Sequence, residues 1–417
     1  MLREDSGERQ AEVAALSTRL IAEPRSAPRD SVLPAADPER AAASAVAAGI
    51  PTELLQRFRA TVRQTHRRAN VVVIDVPADQ QAALAAALAA AGIPARPPRP
   101  VQPMLNESVP LLHVPPLWDS GLRGEGVRVA IVDTGVDATH PDLTGRVAAH
   151  ADFSGTGERD DVGHGTHVAG IVAGAGSIYR GVAPAATLII AKALSVTGGS
   201  EDTVLAAMSW ASRQNVAVMN LSLGGPGSPT APLSREVDAL TAEGIIVCVA
   251  AGNAGPDRGT ISSPGDARGA LTVGAIDKTG ALASYSSRGP VPGVRYRKPD
   301  VAAVGGGVTA GSACAYGTGV ASARAAVLAT DPCIVPPRYV RMSGTSMATP
   351  HVAGICALLV EAVGTTGTAL ARARRVRRAV IGEARPLPGT KRDEVGAGLV
   401  DAQRAVEAIM RKARTAA

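Results

Sequence analysis

The stretch Ser343-Gly344-Thr345-Ser346-Met347-Ala348-Thr349-Pro350-His351-Val352-Ala353-Gly354 places one hydroxyl, that of Ser346, at the mouth of an apolar helix. From Met347 to Val360 the chain carries no Asp, Glu, Lys or Arg. A helix that is apolar all round is a buried one. Ser and Thr are preferred N-caps, so a serine here can simply cap the helix. It can equally be a nucleophile whose developing oxyanion faces the free N–H groups and the positive helix end. The choice depends on partners, because a serine hydroxyl needs a base to take its proton and a third group to orient that base.

Working outward, Val127-Arg128-Val129-Ala130-Ile131-Val132 is a short apolar run that ends in Asp133-Thr134-Gly135. It reads as a buried strand followed by a tight turn. Asp133 therefore stands at a strand's carboxyl end, where open α/β sheets place their sites, or is a turn-forming aspartate. His164-Gly165-Thr166-His167-Val168-Ala169-Gly170 follows a polar, acidic loop from Glu158 to Gly163. Small residues after His164 let a helix start and pack closely. Two histidines three apart suggest metal ligands, but no Cys or further His stands nearby to complete a zinc set. His167 is therefore read as a packed helix residue. Val247-Cys248-Val249-Ala250-Ala251-Gly252-Asn253 is another apolar strand ending in a polar amide. Asn253 is either turn chemistry or a side-chain donor to an oxyanion.

Asp133-Thr134-Gly135, His164-Gly165-Thr166-His167, Ala251-Gly252-Asn253 and Gly344-Thr345-Ser346-Met347-Ala348 resemble the four signature blocks of the subtilases, the subtilisin-like serine proteases. They stand in that family's chain order, Asp, His, Ser. The resemblance runs from Val114-Pro115-Pro116-Leu117-Trp118-Asp119 to Gly396-Ala397-Gly398-Leu399-Val400-Asp401-Ala402. It implies a serine endopeptidase with Ser346 as nucleophile, His164 as general base and then acid, and Asp133 holding the imidazole. Asn253 and the Ser346 backbone N–H would form the oxyanion hole. The resemblance also implies that Ser222-Leu223-Gly224 and Ala250-Ala251-Gly252 line the pocket for the side chain before the scissile bond. Ser195 to Ser200, with Gly198 and Gly199, would be the edge that pairs with the substrate backbone, and Ser262 would sit at the pocket floor. No charged residue occurs at that floor, so apolar or small side chains are expected there. Asp142 matches a calcium ligand of the family, but the short loop Gly174 to Arg180 offers few oxygen ligands, so no calcium is expected in it. No metal and no cofactor are expected. The competing reading is a silenced subtilase-fold protein that binds peptides or regulates.

Elsewhere apolar runs alternate with helical patterns. Leu188 to Ala193, Val216 to Leu221, Ile245 to Ala250 and Leu271 to Ala275 read as strands apolar on both faces. Ser200 caps a helix with Glu201 and Asp202 in its first turn, and Ser234 to Glu243 is another, closed by Gly244. This alternation predicts an α/β fold, three-layer and doubly wound on a mainly parallel sheet, preceded by a small N-terminal strand–helix unit like a pro-segment. Residues 1–68 are expected to be weakly ordered. Residues 69–103 hold the strand–helix unit and a Pro-rich linker, Pro97 to Pro103. Residues 104–410 form the peptidase domain, in which 305–342 is an insertion forming a surface loop or a flap near the cleft. Cys314 and Cys333 are candidates for a disulfide, whereas Cys248 and Cys356 read as core residues.

At 417 residues with 46% hydrophobic content the chain can bury one large core, and with 2% aromatics that core must be aliphatic. The net charge of +6 comes mainly from arginine. The dense run Arg372 to Arg378 has no aromatics interleaved, which favours a solvated helix face over nucleic acid. No apolar run is expected to span a membrane. Met1-Leu2-Arg3-Glu4-Asp5 lacks a signal-peptide core, so as written the chain is expected in the cytoplasm, with secretion left open by a displaced start or a Cys pair. The expected partner is a polypeptide substrate, and the N-terminal segment is a candidate intramolecular inhibitor of a zymogen.

Overall fold

The computed structural model describes residues 17–22, 49–66, 71–96, 108–307, 318–335 and 337–414. The chain divides into two compact units, Met1–Gln102 and Pro103–Ala417.

The larger unit is built on β5 (Arg128–Asp133), β6 (Val147–Asp152), β7 (Thr187–Lys192), β8 (Val218–Leu221), β9 (Ile246–Ala250), β10 (Leu271–Ile276) and β11 (Val301–Val304). They pair in the order β11-β10-β9-β8-β5-β7-β6, every neighbour parallel. The apolar runs are continuous because both faces are covered. On β5, Val129 and Ile131 join one core cluster and Ala130 and Val132 the other, the period-two alternation of a strand. Helices α3 (His164–Ala173) and α6 (Thr345–Val363) belong to the first layer, and α4 (Glu201–Ser212) and α5 (Pro232–Glu243) to the second. This is the three-layer, doubly wound architecture expected. The chain runs from β5 outward to β6 and β7 on one side and to β8 on the other, so β5 ends at a topological switch point.

Helix α4 starts at its N-cap Ser200, whose N–H donates to Thr203 Oγ1 at 3.2 Å. Helix α5 begins earlier than read from the sequence, at Pro232, whose missing N–H costs nothing in a first turn. It stops at Gly244, where φ is 100°. Helix α6 is capped by Gly344, which leaves Ser346 inside the first turn and removes the N-cap reading of that serine. At 19 residues, α6 is also long and apolar enough to cross a membrane, which corrects the expectation that no run reaches that length. Of its 18-residue apolar window 78% is buried, so that apolar surface is spent on the core.

The insertion at 305–342 is not a loose flap over its described part. Strands β12 (Val320–Ala323), β13 (Ile334–Val335) and β14 (Tyr339–Met342) form an antiparallel sheet in the order β12-β14-β13. It is fastened to α3. Ser322 Oγ donates to the His167 carbonyl at 2.8 Å, and His167 Nε2 lies 2.9 Å from the Val320 carbonyl. Tyr339 packs on Tyr179 with ring centroids 4.4 Å apart and donates its hydroxyl to Asp142 Oδ2 at 3.0 Å. The sequence did not announce these strands because they are only two to four residues long, and β12 is buried by packing on α3. Cys333 is disulfide-bonded, whereas Cys314 lies outside the described residues. Cys248 and Cys356 are free and buried.

The two ends of the larger unit are tied together. Ala402 N donates to the Leu112 carbonyl at 2.9 Å, Arg385 donates to the Leu111 carbonyl, and His113 Nδ1 lies 2.9 Å from Asp401 Oδ2. His351 Nε2 is 2.8 Å from Ser108 Oγ. Helices α7 (Ala369–Gly382) and α8 (Ala402–Arg414) follow α6. Helix α7 carries the dense arginine run and buries Ala373, Val376, Ala379 and Val380.

The smaller unit takes in residues 17–22 and 49–66 of the stretch 1–68 that was expected to be weakly ordered; the rest of that stretch lies outside the described residues. Its strands β1 (Ser17–Ala22), β2 (Thr61–His66), β3 (Val71–Pro77) and β4 (Ala95–Arg96) pair antiparallel in the order β2-β3-β1-β4. Helices α1 (Thr52–Arg57) and α2 (Gln81–Ala90) accompany them. Leu20, Ile74, Val76, Leu84, Leu88 and Phe58 share one core. The linker expected at Pro97 to Pro103 lies outside the described residues.

Gly170 on α3 tests how firmly the insertion is seated. A Cβ there would run into Ser322 Oγ and stand 2.9 Å from Ala323 Cβ. Gly to Ala within a helix gains up to about 1 kcal/mol in propensity, whereas overpacking costs about 1–3 kcal/mol. Gly170→Ala is therefore expected to lower the urea midpoint of the protein. A raised midpoint would show that β12 does not press on α3.

Candidate active site

Asp133 is the last residue of β5 and His164 the first of α3, so a strand end and a helix start bring them together. Asp133 is 0% exposed, and its Oδ1 lies 2.7 Å from His164 Nδ1 while accepting the Thr134 N–H at 2.8 Å. Glycine at 165 allows the approach, since a Cβ there would collide with the Gly135 carbonyl. Burial alone disfavours the imidazolium of His164. The charge and hydrogen bond of Asp133, with a further contribution from Asp160, outweigh it and hold the pKa above the ordinary 6.5. With Nδ1 committed to Asp133, Nε2 is the atom left to exchange a proton.

Ser346 stands in the first turn of α6 and lines the same cleft as His164. Its hydroxyl donates to the Ser222 carbonyl at 3.1 Å, and Ser222 Oγ donates back to the Ser346 carbonyl at 2.8 Å. Among the described residues Ser346 makes no hydrogen bond to His164. Such catalytic bonds are often long without substrate and tighten in the complex. Asn253 follows β9, and its Oδ1 accepts from both the N–H and the hydroxyl of Thr345 at 2.9 Å each. That pair fixes the amide, so Nδ2 is the free donor end, within the same cleft as Ser346.

The cleft measures about 1250 Å³, larger than most small-molecule pockets and suited to an extended chain. Gly198, Gly199, Ser222, Leu223, Gly224, Ala250, Gly252 and Ser262 line it. Ala251 does not. It is fully buried behind the wall, its carbonyl accepting the Ser262 N–H at 3.0 Å. Leu194, Val204, Leu233 and the acid Glu201 also line the cleft, and the sequence reading missed them. Val204 was legible as an inward position of α4, but which cavity it faces depends on the sheet.

Sequence reasoning also missed Asp160, which is 7% exposed. Its Oδ1 accepts Thr134 Oγ1 at 2.8 Å, Val162 N at 3.1 Å and Gly163 N at 2.7 Å. Its Oδ2 accepts Thr166 N at 2.8 Å and Thr166 Oγ1 at 2.6 Å. The available signal was an acid just ahead of a helix start. His167, by contrast, is a core residue. Burial pushes its pKa down to about 3, and the neutral ring bridges the Val320 and Val340 carbonyls.

Known proteins resemble this chain. The model of the Subtilase family matches residues 124–401. Serine protease AprX of Bacillus subtilis (strain 168) is 38% identical over 295 residues, 63% of this chain and 64% of that protein. Subtilisin Savinase of Lederbergia lenta is 36% identical over 253 residues, 60% of this chain and 82% of the relative. A solved protease of Pseudoalteromonas arctica PAMC 21717 superposes with a TM-score of 0.60 at 29% identity, covering 72% of this chain and 94% of that one. The chain thus spans a little under two thirds of AprX. The family model's match over residues 124–401, more than half of the chain and the segment that carries Asp133, His164, Asn253 and Ser346, places this chain in the Subtilase family.

Proposed function

We propose that the protein is a serine endopeptidase that cleaves polypeptides through an acyl-enzyme. The observation that carries this is the 2.7 Å contact between Asp133 and His164 beside a cleft that also holds Ser346 and Asn253. In this reading Ser346 Oγ leaves its hydrogen bond to Ser222 and attacks the scissile carbonyl carbon as its proton passes to His164 Nε2. The carbonyl oxygen gains the charge and is met by Asn253 Nδ2 and the Ser346 N–H at the positive end of α6. The C–N bond then breaks, the amine leaving with the proton from His164. Water repeats the sequence on the ester and frees Ser346. Asp133 keeps Nδ1 protonated and compensates the imidazolium throughout. The silenced alternative is disfavoured because it gives no reason for all four groups to be intact.

The wall formed by Leu223, Gly224, Ala250, Gly252 and Ser262 bears no charge, which supports a preference for apolar or small side chains before the scissile bond. Glu201 joins the lining beside the Gly198–Gly199 edge and would disfavour acidic substrates there. The compact N-terminal unit, with its own core, is proposed as an intramolecular inhibitor that processing removes. The disulfide at Cys333 favours an oxidising compartment, hence export, over the cytoplasmic expectation.

Ser346→Ala is expected to lose labelling by a fluorophosphonate and to lower peptide turnover by several orders of magnitude. Labelling that persists in this variant would remove Ser346 as nucleophile. In a panel of peptide anilides, cleavage should be fastest after Leu, Phe or Ala, and a maximum after Arg or Glu would overturn the pocket assignment. On gels, wild type should shorten by the mass of the N-terminal unit while Ser346→Ala stays full length. Equal lengths would rule out self-processing.

A further inference from the structure

The Asp160 carboxylate does more than fill a loop. Its two oxygens accept five hydrogen bonds, and the donors belong to three different pieces of the site. Thr134 is the residue after Asp133, Val162 and Gly163 lead into His164, and Thr166 lies in the first turn of α3. The links continue. Thr134 Oγ1, while donating to Asp160, accepts the Gly165 N–H at 2.9 Å, and Thr166 Oγ1 accepts the Asp137 N–H at 2.9 Å. The segments before, at and after His164 and the turn after Asp133 thus converge on one buried acid.

We propose that Asp160 is a positioning residue of the active site, clamping the end of β5 to the first turn of α3 so that the His164 imidazole is held against Asp133 and turned toward Ser346. The proposal deepens the peptidase reading and rests on it for the role of His164. Two physical effects follow. The first is geometric, because a misplacement of about 1 Å at a reacting group can cost on the order of a hundredfold in rate. The second is electrostatic. His164 opens α3, where the free N–H groups carry partial positive charge and oppose an imidazolium. A carboxylate accepting from those N–H groups offsets this, in line with the contribution of Asp160 to the raised His164 pKa.

The titratable groups on the neighbouring elements leave this role to Asp160. Asp133 approaches from β5, and its Oδ1 is already engaged by His164 and Thr134. His167, one turn on, and His351, on α6, are held neutral by burial, with pKa values down at about 3 and about 4. Lys192, from β7, is paired with Asp161 at 2.8 Å.

The sign is fixed. The Asp160 charge favours the imidazolium, so its loss must lower the His164 pKa and move the acid limb of kcat/KM to lower pH. For Asp160→Asn we expect that shift together with a fall in kcat of about tenfold to a hundredfold and little change in KM. Thr166→Val removes one arm of the clamp without removing charge, so kcat should fall with the acid limb near its wild-type place, and Thr166→Ser should restore it. A folded Asp160→Asn protein with the wild-type pH profile would overturn the proposal. If that variant does not fold, wild-type kcat in Thr166→Val would overturn it instead. An activity-independent readout separates this from the peptidase reading: NMR titration of the His164 ring in Ser346→Ala, its signal identified by loss in His164→Ala. The midpoint should fall when Asp160→Asn is added, and an unmoved midpoint refutes the clamp even if the protein proves not to be a peptidase.

Discussion

A carboxylate taken completely out of water must find its compensation in the protein, and Asp133 finds most of it in one direction. Its Oδ1 receives the Thr134 N–H and the His164 ring, while its Oδ2 is buried with no hydrogen-bond partner among the described residues. Leaving a buried charge unpaired costs about 3–5 kcal/mol. The imidazole is therefore held as firmly by the needs of Asp133 as by the packing of α3. Much of the sheet's design serves this single contact. Parallel strands bring their carboxyl ends to one edge, the switch point at β5 opens a crevice there, and α3 and α6 aim their first turns into it. Small residues let those turns come close.

The main architecture was legible because a parallel sheet buried on both faces leaves an unmistakable trace. Val129 to Val132 or Val247 to Ala250 cannot be half-exposed strands, and each is followed within three residues by a polar residue of the candidate site, Asp133 or Asn253. The residues of the site were equally legible wherever their chemistry is carried by local context, as at Ser346 before an apolar helix. What the sequence hid depends on partners far away in the chain. Asp160 reads as one more solvated acid in a polar loop until Thr134 and Thr166 are placed around it. Ala251 sits next to two residues that line the cleft, yet the strand alternation turns it inward. The strands Val320–Ala323, Ile334–Val335 and Tyr339–Met342 are too short to declare themselves by periodicity, and Ser17–Ala22, with Ser17, Thr18 and Arg19 in its first half, reads as polar chain until β3 pairs with it.

The insertion also changes how His164 is supported. Leu328 stands over the Cα of Gly163, where any side chain would strike it, and the Ala326 N–H reaches Asp137 Oδ2 at 3.1 Å. Together with the Ser322 and His167 contacts, this makes α3 a helix gripped from the sheet below and from a second small sheet above. In the proposed mechanism the His164 imidazole carries a proton from the nucleophile to the leaving group, and such immobility keeps reorganisation during the reaction from adding to the barrier.

The seam between Leu111–His113 and Arg385–Ala402 has a consequence for any cut made upstream of Ser108. A freshly exposed chain end normally unravels until it meets tertiary contacts, and each freed residue becomes food for the next nick. Here the first described residues are already stitched to the last segment of the same domain, so unravelling is arrested within a few residues of the cut. In the proposed self-processing, the domain that remains thereby keeps a blunt, closed margin against a peptidase at high local concentration: itself.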